Sequence, residues 1–222
     1  MTGRELTDGG SYGSRPCYGE LAAVVLAGTV HIAIELGRSA AAATAFNAAV
    51  SVAFLAYLVW RARRTPGVLH YWGIRTDNLK RAALAQLPFF VAGVVVLAAF
   101  GAATGSPGLP RTFWLTAALY PAWGIAQQFA LQNMIANNVV GLVARPLAIA
   151  LVAATLFAAS HFPQWELVAL TFVAGIVFTW IYRRVPNLWV VGTAHGLLGS
   201  MAFYIVLRED PGAVILDFLA GR

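Results

Sequence analysis

Seven apolar runs, each close to the length a helix needs to cross a bilayer, occupy most of the chain. They fall at roughly 20–36, 41–60, 83–103, 112–136, 147–162, 166–182 and 188–207. A spanning helix takes about 20 mostly apolar residues. Breakers separate the runs: Gly37-Arg38-Ser39 after the first, Gly105 to Pro110 after the third, and Arg145-Pro146 after the fourth. The fifth and sixth runs are the shortest. Composition agrees, since only 11% of residues are charged, against about 25% in soluble domains. The expected fold class is therefore all-α, a polytopic membrane helix bundle of about seven spans. Residues 1–19 are polar and Gly-rich and are expected to form a mobile cytoplasmic tail. Residues 20–222 form a single transmembrane helical domain.

The net charge of +6 does not point to nucleic acid. The basic residues sit in short clusters between apolar runs, such as Arg61, Arg63, Arg64 and Arg183, Arg184, which is how charge is placed in membrane-protein loops. With the N-terminus in the cytoplasm, eleven Lys and Arg fall inside and four outside. The positive-inside rule selects that topology, and a multi-pass protein of the bacterial plasma membrane is expected. Its first partner is the lipid bilayer. The single cysteine, Cys17, allows no internal disulfide. Segment 68–82 mixes aromatic and basic residues and reads as an interfacial element, with His70 a surface histidine.

Polar side chains inside apolar runs are costly and mark function by default. Gln127, Gln128, Gln132 and Asn133 place four amides within seven residues of the fourth run. Gln128 and Gln132 share a helix face, and such a cluster suits a polar cavity better than simple helix–helix bonding. His161 closes the fifth run just before Pro163. His195 lies about 12 Å inside the last run, among Gly192, Ala194, Gly196 and Gly199, small neighbours that allow another helix to approach closely. His31 and Glu35 are four apart in the first run and can share a proton or a metal, although Glu35 is near enough to the end to reach water.

These motifs resemble the CPBP family (CAAX protease and bacteriocin-processing, or Abi) of intramembrane proteases. That family carries Glu-Glu-x-x-x-Arg on one span, Phe-x-x-x-His at the end of the next, and a final His-x-x-x-Asn or Asp. In this chain Gln127-Gln128-x-x-x-Gln132, Phe157-x-x-x-His161 and His195-x-x-x-Gly199 stand in that order. The resemblance covers roughly residues 112–207, a CPBP-like core in the last four spans. It implies a membrane endopeptidase, with Gln127, Gln128, Gln132, His161 and His195 at the catalytic positions and the histidines holding an oxyanion or a divalent metal such as Zn. It also departs from the pattern. An amide cannot accept a proton at neutral pH, so Gln127 cannot replace a general base. Gln132 stands where the arginine would orient that base, and Gly199 where the last polar partner would be.

Three readings follow. The first is an endopeptidase that cleaves peptide bonds at a His-lined intramembrane cavity. The second is a non-proteolytic relative that binds a prenyl or acyl chain, or a hydrophobic or lipidated membrane peptide, as scaffold or chaperone. The third is a metal site of different chemistry built from His31, Glu35, His161 and His195, which requires the first run to pack beside the fifth and seventh. If the fifth run crosses the whole bilayer, His161 lies ~10 Å or more from His195 and Gln127 along the membrane normal. A tilted or displaced fifth run removes that conflict.

Overall fold

The computed structural model describes residues 16–37, 40–106 and 108–221. All regular structure among them is helical. The helices are α1 (Tyr18–Leu36), α2 (Ala40–Arg64), α3 (Val68–Tyr71), α4 (Leu79–Thr104), α5 (Phe113–Phe129), α6 (Asn137–Val139), α7 (Pro146–Ala159), α8 (Trp165–Tyr182), α9 (Leu188–Ala202) and α10 (Pro211–Leu219). Two π-helical stretches, Ala130–Ala136 and Phe203–Leu207, prolong α5 and α9 without interruption. Of the tail expected over 1–19, residues 1–15 lie outside the described residues, as do Arg38, Ser39 and Pro107; Tyr18 and Gly19 open α1.

Among the described residues, five helices are long and apolar enough to cross a membrane: Tyr18–Leu36, Ala41–Arg64, Leu79–Thr104, Trp165–Tyr182 and Leu188–Leu207. The other two expected runs are helices of a different kind. α5 and its π extension carry the four amides, which dilute their hydropathy. α7 has 14 residues, about 21 Å of rise, against a hydrocarbon core of about 30 Å. Expected over 147–162, the fifth run stops as a helix at Ala159 and turns through Ser160–Gln164 into α8.

Local chemistry explains the ends. Gly105 terminates α4 in the left-handed region at φ 64°, a conformation open to glycine. Pro146 starts α7 at its first turn, where its missing N–H is no loss. Asn187 caps α9 by accepting from Val190 N at 3.0 Å. Asp210 caps α10 by accepting from Ala213 N at 2.8 Å.

The core lies in the C-terminal part of the bundle. α1 buries no residue, and the spanning window of α2 buries none either. α5 crosses α9 with the two backbones in contact. A Cβ on Gly124 would lie 2.4 Å from Gly192 O, and one on Gly196 would lie 2.5 Å from Pro121 Cα. The spacing Gly192-x-x-x-Gly196 thus lets two backbones touch, as small residues do in membranes. α7 meets α8 in the same way, with Gly175 against Ala154. The expected interfacial segment forms α3 and a loop, tied to the α8–α9 turn by Asn187 Nδ2 donating to Arg75 O at 2.9 Å and Leu188 N donating to Gly73 O at 2.8 Å. His70 is exposed there.

Candidate functional site

The α5–α9 crossing sets the site. With the backbones in contact at Gly124, Gly192 and Gly196, the next turn of each helix brings Gln127 and Gln128 against His195. Gln128 Nε2 lies 3.1 Å from His195 Nδ1, and His195 Nε2 lies 2.9 Å from Gln127 Oε1. One turn on, Gln132 Nε2 donates to Gln128 Oε1 at 2.9 Å. The four side chains form one hydrogen-bonded chain: Gln132 to Gln128, Gln128 to His195, His195 to Gln127. The imidazole is then neutral, accepting at Nδ1 and donating from Nε2. Turning every amide over reverses the chain but still engages both ring nitrogens. Gln128 and Gln132 are fully buried, His195 is 8% exposed, and Gln127 is half-buried. Gln132 lies in the π-helical stretch, a local widening that often accompanies functional side chains. Its Oε1 is buried with no hydrogen-bond partner among the described residues.

Phe157 is the shared wall between the two histidines. Its ring meets His195 edge-on at 5.8 Å and His161 edge-on at 5.0 Å. His161 Nδ1 is held by Phe157 O at 3.0 Å, and its ring is half-buried. The short α7 explains why His161 reaches this level. A longer helix would carry it further along the axis, whereas this one ends after 14 residues and leaves His161 against Phe157. Phe178 of α8 closes the other side of His195, with ring centroids 5.6 Å apart.

The remaining expected residues separate. α1 does pack at the end of α7, where a Cβ on Gly28 would lie 3.7 Å from Ser160 Cβ, and His31 is within electrostatic reach of His161. Glu35, however, is exposed. Among the described residues no group of three or more His, Cys, Asp or Glu side chains is placed to hold a metal ion. Both nitrogens of His195 are already engaged by amides, so the donor set does not fit Zn or another divalent metal. Asn133 also leaves the cluster: its Nδ2 donates to Trp72 O at 3.2 Å, and its Oδ1 accepts from Asn137 Nδ2 at 3.1 Å. It ties α3 to the bundle.

Sequence reasoning passed over several polar groups. Glu20 accepts from Tyr57 Oη and from Asn138 Nδ2, the latter at 2.9 Å, with Arg61 Nη2 at 3.6 Å. Asp210 accepts from Thr112 Oγ1 at 2.8 Å and from Tyr204 Oη at 2.9 Å. Asp210-Pro211 ahead of an apolar stretch is a readable helix start. Gln86 and Thr179 are buried with side-chain atoms that have no hydrogen-bond partner among the described residues; a lone glutamine in an apolar run is a visible signal for the first.

Residues 109–201 match a family model described as Rce1-like, type II CAAX prenyl endopeptidase Rce1-like. No curated protein and no solved structure matches the chain. The matched segment holds Gln127, Gln128, Gln132, Phe157, His161 and His195, the motif positions on which the resemblance to the CPBP family rests. The chain is a polytopic helical membrane protein whose residues 109–201 form a CAAX-protease-like segment.

Proposed function

We propose that this protein binds a hydrophobic or lipid-modified membrane segment on a CAAX-protease-like scaffold and does not cleave it. The observation that carries the reading is the saturated imidazole of His195, with Gln128 on Nδ1 and Gln127 on Nε2. Hydrolysis needs a group that takes a proton from water. The amide of Gln127 cannot do so, and His195 has no lone pair to spare. An oxyanion site needs N–H donors aimed at open space, and the imidazole N–H and one N–H each of Gln128 and Gln132 are spent within the chain. What remains is a rigid, neutral polar seam with half-buried Gln127 and His161 at its edge, where an extended peptide can pair its backbone. The N-terminus is assigned to the cytoplasm, the side that takes eleven of the fifteen Lys and Arg.

Endopeptidase activity is the second reading, favoured by the family match over 109–201 and by the two histidines that flank Phe157. It requires the His195–Gln127 bond to open and a base to come from elsewhere. The test uses full-length protein in liposomes with a farnesylated, photo-crosslinkable peptide. The expected result is crosslinking to α5, α7 or α9 with no shortened peptide by mass spectrometry. Product that grows with protein concentration and disappears in His195→Ala contradicts the binding reading and establishes the second.

A further inference from the structure

A groove of about 640 Å³ opens where α5, the π-helical stretch Phe203–Leu207 and α10 meet, within the range of about 300–1,000 Å³ typical of small-molecule sites. Tyr120, Trp123 and Phe203 form one wall, and Val214 and Ile215 of α10 form the other. Leu119, Trp123 and Val214 are 52%, 48% and 69% exposed, so the groove is open along its side to the surface that faces lipid. Its end is different in kind, with Glu209 and Asp210 side by side. Glu209 is exposed. Burial pushes the Asp210 carboxyl up, but Ala213 N–H, the Thr112 and Tyr204 hydroxyls and Gly212 N–H hold it below the usual carboxylate range. The groove therefore has a greasy trough and an anionic mouth.

We infer that this groove is a specific phospholipid site, taking one acyl chain along α5 and the ammonium of a zwitterionic headgroup at Glu209 and Asp210. Geometry and charge set the ligand class. Thr116, Tyr120 and Trp123 recur at helical spacing on one face of α5. From Thr116 to Trp123 the trough runs about 10 Å, enough for part of an acyl chain. Two neighbouring carboxylates attract an ammonium group and disfavour an anionic headgroup. The site does not depend on whether the His195 cluster cuts or binds.

The test reconstitutes full-length protein in nanodiscs of equal phosphatidylethanolamine and phosphatidylglycerol, transfers it to mild detergent and weighs retained lipid by native mass spectrometry. Phosphatidylethanolamine is expected to be retained about fivefold over phosphatidylglycerol, the ratio that one exposed ion pair supports. Leu119→Trp and Val214→Trp fill the trough from exposed positions and are each expected to abolish retention. Two variants keep the test informative if one fails to fold. Glu209→Gln is expected to bring the preference close to one. Equal retention of both lipids by the unaltered protein, retention that survives both tryptophans, or a preference that survives Glu209→Gln overturns the proposal. So does a basic apolar peptide that copurifies in the groove in place of lipid.

Discussion

At the scale of single residues, His195 is a strut. Truncation to alanine leaves Gln127 Oε1 and Gln128 Nε2 without partners in a helical interior. An abandoned buried polar group costs about 1–3 kcal/mol, while interhelical hydrogen bonds in membranes are worth only about 0.6–2 kcal/mol. His195→Ala is therefore expected to lose about 1–3 kcal/mol in a denaturant titration in detergent. In a cycle with Gln128→Ala the two losses should be non-additive by about 0.5 kcal/mol or more; strict additivity contradicts the shared chain. Gln127→Glu puts a carboxylate beside the imidazole but provides no cation to orient it, because Gln132 stands at the arginine position of the resembling motif. That variant is expected to remain inactive on a membrane peptide. Detection of a cleaved product in the same mass-spectrometric assay would refute this.

At the scale of helices, the site depends on how closely α5 and α9 approach. Gly192 sits where a Cβ would meet Ile125 Cα at 2.5 Å, so Gly192→Val must push the helices apart. Overpacking costs typically 1–3 kcal/mol, and here it also pulls His195 away from Gln127 and Gln128. The expected outcome is a lower thermal midpoint together with loss of peptide crosslinking. A variant of unchanged stability and binding would show that the crossing is looser than described. The N-terminal hairpin behaves differently. α1 and α2 bury almost nothing, and their polar tie to the bundle is Glu20 with Asn138, Tyr57 and Arg61, supported by Cys17 N donating to Asn138 Oδ1 at 2.7 Å. Asn138→Ala is expected to raise hydrogen exchange across 18–64 while leaving α9 protected. Equal loosening of both regions contradicts a hairpin held by that cluster.

At the scale of the molecule, hydropathy made the bundle legible. All seven expected runs are helices, with ends within a few residues of those read from the apolar runs and their breakers, except that α2 runs on to Arg64 and α4 begins at Leu79. The four amides and His195 were also legible, because polar groups in apolar runs stand out and the small residues around His195 signalled a close crossing. Depth was not. Sequence counts place a residue along a helix, but the level of His161 depends on α7 being too short to span, which hydropathy alone blurred into the turn at Ser160–Gln164. Partner choice was not legible either. Asn133 looks like one more amide of the cluster, yet the widened π turn directs it to Trp72. The fourfold set His31, Glu35, His161 and His195 did not assemble, because Glu35 faces outward from α1. Long-range polar ties such as Glu20 with Asn138 involve residues more than a hundred positions apart and leave no local pattern.

Both nitrogens of the His195 imidazole are engaged by amides. Nitrogen-15 spectra of His-labelled protein in lipid, assigned to His195 by its loss in His195→Ala, read this directly. The expected spectrum has one protonated nitrogen and one hydrogen-bonded acceptor nitrogen, and it does not change when zinc is added. A nitrogen without a hydrogen bond, or a shift to a zinc-bound nitrogen, would contradict the account and return His195 to the role of base or metal ligand.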